Sequence, residues 1–405
     1  MSIEDCIRAA IGDGVDPAGV PWSSIAPEVL RPKRTSVKWR RYEADVLPMF
    51  VAEMDFAIAA EVRDALVRAV EASDIGYVLS SGELAPAFSS FVADRWGWQV
   101  SPGHVHLATD VATGVVEALR VLRPEGGRLV LPTPVYPGFF EMLEELNFEI
   151  VEVELEAGGA GAALDLAAIE REFAAGANAF LMSNPHNPHG IAFGAAELRA
   201  LAELAAKYGV AVVSDEIHAP LTHSTAVFTP FAPLAAEAGA LAVTTTSASK
   251  GWNIAGAKCA MIIAADERAN QVLKHLPPEV ITRTSILGLH ASVAAFTDGR
   301  AWLDRAVAQI EANQALFDAL VTERIPSIRY TPGHAGYVAW IDLRESGLGE
   351  RPVKRILTEA RVALNDGYHF GAGGAGFARI NLAAAPDTIV RGVDRIADLV
   401  NGAHS

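Results

Sequence analysis

The sequence predicts an α/β fold: a mostly parallel sheet with helices on both faces, joined to a smaller α+β part. Three observations predict it. Short apolar runs alternate with helical patterns through the middle of the chain. Several of those runs are rich in Val, Ile and Leu without polar alternation, as strands covered on both faces require. After Arg324 the order of elements changes.

The expected strands are Val105–Thr109, Arg128–Pro132, Glu149–Leu155, Ala179–Ser183, Val210–Ser214, Leu241–Thr246 and Cys259–Ala264. Between Gly194 and Gly209, Leu198, Leu201, Ala205 and Tyr208 recur at helical spacing. Ala301 to Arg324 reads as one long helix, with Leu303, Val307, Ile310, Phe317 and Leu320 on a stripe. Beyond it come a strand near Tyr337–Leu343, a helix near Pro352–Arg361, a strand at Phe377–Leu382 and a final helix. The expected large domain covers residues 56–288. The small domain joins residues 1–55 to 289–405. No internal repeat or low-complexity linker interrupts this order.

Composition narrows the function. The chain has 405 residues, 51% hydrophobic and 20% charged, which is a globular balance. Its 33 Lys and Arg against 49 Asp and Glu give a net charge of −16. That opposes nucleic acid and anionic membrane as partners, since both attract clustered cations. Two cysteines, Cys6 and Cys259, cannot make a disulfide framework, so a cytoplasmic location is expected. Met1-Ser2-Ile3-Glu4-Asp5 has no basic segment of a signal peptide, and no apolar run is long enough for a membrane span.

Two motif matches fail on context. Gly371-Ala372-Gly373-Gly374-Ala375-Gly376 fits a dinucleotide fingerprint in letters, but it leads into a strand and not a helix. Asp215-Glu216-Ile217-His218 resembles a helicase box, but no phosphate loop accompanies it. The pairs His104 and His106, His186 and His189, and His218 and His223 match no standard metal-ligand spacing, so no metal is expected.

The segments that follow strands carry the chemistry, as expected for parallel sheets, where ligands sit beyond the carboxyl ends. Ser247-Ala248-Ser249-Lys250 puts a lysine after two hydroxyls, and Lys258 follows downstream. A lysine amine attacks carbonyl carbon, and hydroxyls with a cation suit a phosphate. A carbonyl plus a phosphate describes pyridoxal 5'-phosphate (PLP). Asp215 ends an apolar run, where a carboxylate needs a cation such as a protonated ring nitrogen. Asn184-Pro185-His186-Asn187-Pro188 is a turn that can present the Asn187 amide to a ligand. Thr113-Gly114-Val115 reads as a helix N-terminus suited to phosphate. Tyr136, after another strand, can stack on a flat ring. Singly, each is an ordinary turn, cap or rim residue; their order is what speaks.

In that order, from Val51-Ala52-Glu53-Met54-Asp55-Phe56 to Arg379-Ile380-Asn381-Leu382, the chain resembles fold-type-I PLP enzymes of the class I and II aminotransferase superfamily. The resemblance implies roles. Lys250 would hold the cofactor as a Schiff base and shuttle the Cα proton. Asp215 would pair with the pyridine nitrogen, Asn187 with the ring O3' and also with the substrate, and Tyr136 would stack on the ring. Thr113, Gly114 and Val115, with Ser247, Ser249 and Lys258, would bind the phosphate. Tyr77 would reach the phosphate from the second subunit of a homodimer, and Arg379 would clamp the substrate α-carboxylate. Ser214-Asp215-Glu216-Ile217-His218, Lys250-Gly251-Trp252-Asn253-Ile254-Ala255-Gly256 and Asn365-Asp366-Gly367-Tyr368-His369-Phe370-Gly371 resemble the cystathionine β-lyase-like C–S lyases. There His218 would tune the O3' chemistry. His189, Glu53 and the Ala219-Pro220 pair depart from that branch's pattern, close to where substrate would lie.

The expected activity is therefore a C–S β-lyase acting on cysteine S-conjugates. An aminotransferase is the alternative. A regulatory protein that binds a transcription factor is a second alternative, with no DNA-binding segment to support it.

Overall fold

In the computed structural model, residues 25–156 and 162–403 are described, together with Ile3, Asp5 and Cys6. The N-terminal reading at Met1, Ser2 and Glu4 lies outside them. Seven strands form the main sheet: β1 (Val105–Ala108), β2 (Gly127–Thr133), β3 (Phe148–Glu154), β4 (Ala179–Ser183), β5 (Ala211–Asp215), β6 (Ala242–Thr246) and β7 (Ala260–Ala264). Their spatial order is β1-β7-β6-β5-β4-β2-β3. All neighbours are parallel except β7, which runs antiparallel to both β1 and β6. Each expected strand is present, with ends shifted by a residue or two.

Successive side chains of a strand point to opposite faces. Leu129, Leu131, Leu181, Val213 and Val243 join one apolar cluster with the helix α1 (Val111–Leu122). Val130, Phe180, Met182, Val212 and Ala242 join another, with the helix Ala195–Tyr208. Polar alternation is missing from these strands because neither face meets water.

The smaller part holds a four-stranded antiparallel sheet, ordered β10-β11-β9-β8, from β8 (Arg329–Tyr330), β9 (Val338–Asp342), β10 (Asn365–Asp366) and β11 (Phe377–Asn381). The long helix α2 (Arg300–Arg324) serves both parts. Leu303, Ala306 and Ile310 pack into a core with Phe88, Phe91 and Trp252, whereas Leu316, Phe317 and Leu320 pack under the small sheet. The expected helix near Pro352–Arg361 is two pieces. Pro352–Arg355 is α-helical, Ile356–Ala360 is a π-turn, and Arg361 ends it at φ 57°. No helix among the described residues is long and apolar enough to cross a membrane.

Candidate active site

Ser183, Asp215 and Thr245 lie side by side in register near the ends of β4, β5 and β6. The segments leaving these ends, and the end of β2, converge on a cavity of about 350 Å3. Tyr136, Asn187, Asp215, His218, Ser247, Ser249, Lys250 and Lys258 all line it. A turn built on two cis Asn-Pro bonds carries Asn187 back over the sheet edge. A cavity of this size is suited to a small organic ligand.

Burial sets the charges. Desolvation raises the Asp215 carboxyl to about 7, against the Ile217 N–H that donates to Oδ1 at 3.0 Å and the nearby Lys250. Desolvation also lowers the Lys250 amine to about 8, helped by the positive Arg379. His218 falls to about 3, again chiefly by burial, so its ring is neutral, and its Nδ1 has no hydrogen-bond partner among the described residues. Arg379 falls to about 10 by burial and remains a cation. It donates to Asn187 Oδ1 at 3.1 Å and to the Phe50 carbonyl at 3.3 Å, which orients the Asn187 amide.

A strap over Lys250 was not foreseen from sequence. The Ala52 carbonyl accepts from both Lys250 Nζ and Tyr337 Oη at 2.9 Å. Asn253, at φ 58°, fixes the strap by accepting from the Met54 N–H and donating to the Met54 carbonyl, each at 2.9 Å. Beneath it, Lys38 and Asp55 form a buried pair at 2.5 Å. Asn253 lay within a motif already singled out, but its partner stands far away in sequence.

Two expectations need correction. Helix α1 starts at Val111, capped by Asp110, whose side chain accepts from the Thr113 N–H at 2.9 Å. The Gly114 N–H bonds the Asp110 carbonyl, and Gly114 and Val115 are buried inside the helix. Val111 and Ala112, in the first turn of α1 where N–H groups lack a helical acceptor, line the cavity, and Thr113-Gly114-Val115 do not. Ser247 caps the helical turn Ala248–Gly251, accepting from the Ser249 N–H at 3.1 Å while donating to the Cys259 carbonyl at 2.6 Å. Its hydroxyl proton is engaged, so it is not a free donor for an anion. Lys258 pairs with Asp110 at 2.7 Å. Tyr77, expected to serve a second subunit and not its own, is 92% exposed and does not line this chain's cavity.

The model of the family "Aminotransferase class I and II" matches residues 44–396. The chain belongs to this family. Within it the similarity is to the cystathionine β-lyase branch. A Mycobacterium leprae protein provisionally named cystathionine beta-lyase is 39% identical over 385 residues, covering 90% of this chain and 94% of that one. Cystathionine beta-lyase of Corynebacterium glutamicum is 34% identical over 373 residues, covering 92% and 98%. A crystal structure from Corynebacterium diphtheriae, provisionally described as a PLP-dependent beta-cystathionase, superposes with a TM-score of 0.88 at 35% identity, covering 94% of this chain and 99% of that one.

Proposed function

We propose that this protein is a PLP-dependent C–S β-lyase. It would cleave cysteine S-conjugates such as L-cystathionine, with one water, to a thiol, pyruvate and ammonia. The observation that carries the reading is the desolvated Lys250 amine, at about 8, beside the buried Asp215 and Arg379. The relatives named cystathionine beta-lyase support the choice of reaction.

The residues present fit the cofactor. The cavity offers the two helix-end amides of Val111 and Ala112, with Ser249 and Lys258, to a phosphate. Asp215 can accept from a protonated ring nitrogen, and a cation there would favour its ionised form. The Asn187 amide, its oxygen held by Arg379, is left to donate to a ring oxygen. Tyr136 stands where it can stack on the ring.

Bound there, PLP supplies a carbonyl that condenses with amines and a ring that takes up the electron pair left at the substrate Cα. Lys250 Nζ is the base that removes the Cα proton, since desolvation leaves part of it unprotonated near neutral pH. Arg379 holds the substrate α-carboxylate by charge-assisted hydrogen bonds and so fixes which bond faces Lys250. His218, lowered to about 3 by burial, is too weak a base to compete with Lys250 for that proton. The exposed Tyr77 is assigned to the phosphate of a second subunit, in a cytoplasmic homodimer. Exchanging subunits between Tyr77→Phe and Lys250→Ala proteins tests this by restoring one native site per mixed dimer.

The deciding experiment is L-cystathionine with no 2-oxo acid. Elimination leaves the cofactor as it was, so thiol, pyruvate and ammonia should accumulate over many turnovers. A single-turnover burst rescued only by a 2-oxo acid would make the protein an aminotransferase.

A further inference from the structure

The cavity at the strand ends opens outward into a second chamber of about 460 Å3. Ala52, Tyr136 and Lys250 line both spaces, and Arg379 stands in the wall of the outer one. The chamber's other walls come from two stretches distant in sequence, residues 37–51 and 351–369. Phe50, Val353 and Leu357 give it an apolar side. Arg41, Arg351 and Lys354 give it a cationic one.

These three cations stand out in a chain of net charge −16. Their neighbours on the same stretches are paired, Arg355 with Glu359 and Arg361 with Asp45, each at 2.7 Å. Arg41, Arg351 and Lys354 form no ion pair with any described residue. Arg41 lies over the rings of Tyr42 and Phe50, 5.8 and 6.0 Å from their centroids, which steadies it at the chamber wall. Among the described residues, the chamber's one carboxylate, Asp366, already accepts from the Tyr368 N–H at 3.1 Å. Unpaired cations converging on a cleft raise the local concentration of anions. Arg379 is assigned to the α-carboxylate, so the three outer cations are left for a second anion.

We infer that the outer chamber selects S-conjugates whose sulfur-side substituent ends in a carboxylate. Phe50, Val353 and Leu357 pack on the thioether stem, and Arg41, Arg351 and Lys354 hold the terminal carboxylate. This rests on the lyase reading of the inner cavity.

The test uses PLP-loaded protein and an isosteric pair, S-(2-carboxyethyl)-L-cysteine and S-(2-carbamoylethyl)-L-cysteine. The acid should be preferred by about ten-fold or more in kcat/KM, mostly through KM, a difference of about 1.4 kcal/mol. The preference should shrink with added salt, because these side chains are exposed. In an Arg351→Gln/Lys354→Gln protein the ratio of acid to amide should approach one, and Arg351→Lys should restore part of it. Equal kcat/KM for acid and amide in the unaltered protein would overturn the inference. So would a preference that survives in the Arg41→Gln/Arg351→Gln/Lys354→Gln protein. Elimination from neither compound would count against the lyase reading instead. The tail preference is then read from titration of the cofactor absorbance, where equal affinities for acid and amide overturn it.

Discussion

The inner cavity and the outer chamber share a wall yet are built in opposite ways. In the inner cavity the titratable groups sit at strand ends between covered faces, and burial moves them. Asp215 rises to about 7, Lys250 falls to about 8 and His218 to about 3. The outer chamber holds its cations on exposed side chains of short helices and turns. Desolvation tunes a proton's affinity, which chemistry needs, at a cost in folding energy. Exposure leaves a charge ready to meet a ligand, at little cost and with little chemical leverage. Substitutions in the inner cavity should therefore change kcat and cofactor chemistry, and those in the outer chamber KM.

The largest effect should come from Lys250→Ala. General-base catalysis alone contributes about 10²–10⁴-fold, and this change also removes the amine that condenses with the cofactor. Turnover should disappear, while PLP remains bound but is no longer fixed to protein by borohydride. Fixation at Lys207 or Lys274 in the unaltered protein would remove Lys250 from the centre of the site.

Next, Asp215→Asn should separate activity from stability. Activity should fall by the roughly 3–5 kcal/mol that breaking a buried charged pair costs. The sign for stability is opposite. Because the folded carboxyl is raised from 3.8 to about 7, the unaltered cofactor-free protein loses stability as pH climbs between those values, and the penalty is complete above about 7. The asparagine protein lacks that loss, so urea unfolding should show it gaining on the parent at pH 8 relative to pH 4. Parallel pH dependence of the two proteins would mean that Asp215 is not desolvated.

A third measurement sharpens the view of Lys250. Condensation of the cofactor-free protein with PLP requires the neutral amine, so below about 8 its rate should drop close to ten-fold per pH unit. A rate still climbing steeply toward pH 10 would place Lys250 with the exposed lysines.

The smallest effect concerns the boundary between acid and cation at helix α1. Asn caps a helix about as well as Asp, so Asp110→Asn should keep α1 while releasing Lys258 from its 2.7 Å pair. PLP affinity should tighten by up to about ten-fold, in line with the ~0.3–1 kcal/mol of an exposed charge and a little more for partial burial. Weaker binding with an intact fold would show that Asp110 itself orients the phosphate site.

Tyr136, Asn187, Asp215 and Lys250 were legible in the chain because each lies at or just past the end of a strand. Parallel neighbours in register bring such ends together without further instruction. The apolar runs that mark those strands were equally plain, since both faces are covered. The start of α1 was misplaced by reading a glycine as its beginning, when Asp110 with its bond to Thr113 was the local signal. Other features had no local signal at all. The Cys259 carbonyl that accepts from the Ser247 hydroxyl, the Ala52 strap over Lys250, and the meeting of Arg41 with Arg351 and Lys354 exist only once distant segments pack. The sequence by itself determined the sheet, its loaded edge and the amine at its centre, because periodicity and strand-end position are local properties. Tertiary structure alone decided which hydroxyls and cations remain free for a ligand, because that depends on hydrogen bonds and ion pairs between residues far apart in the chain.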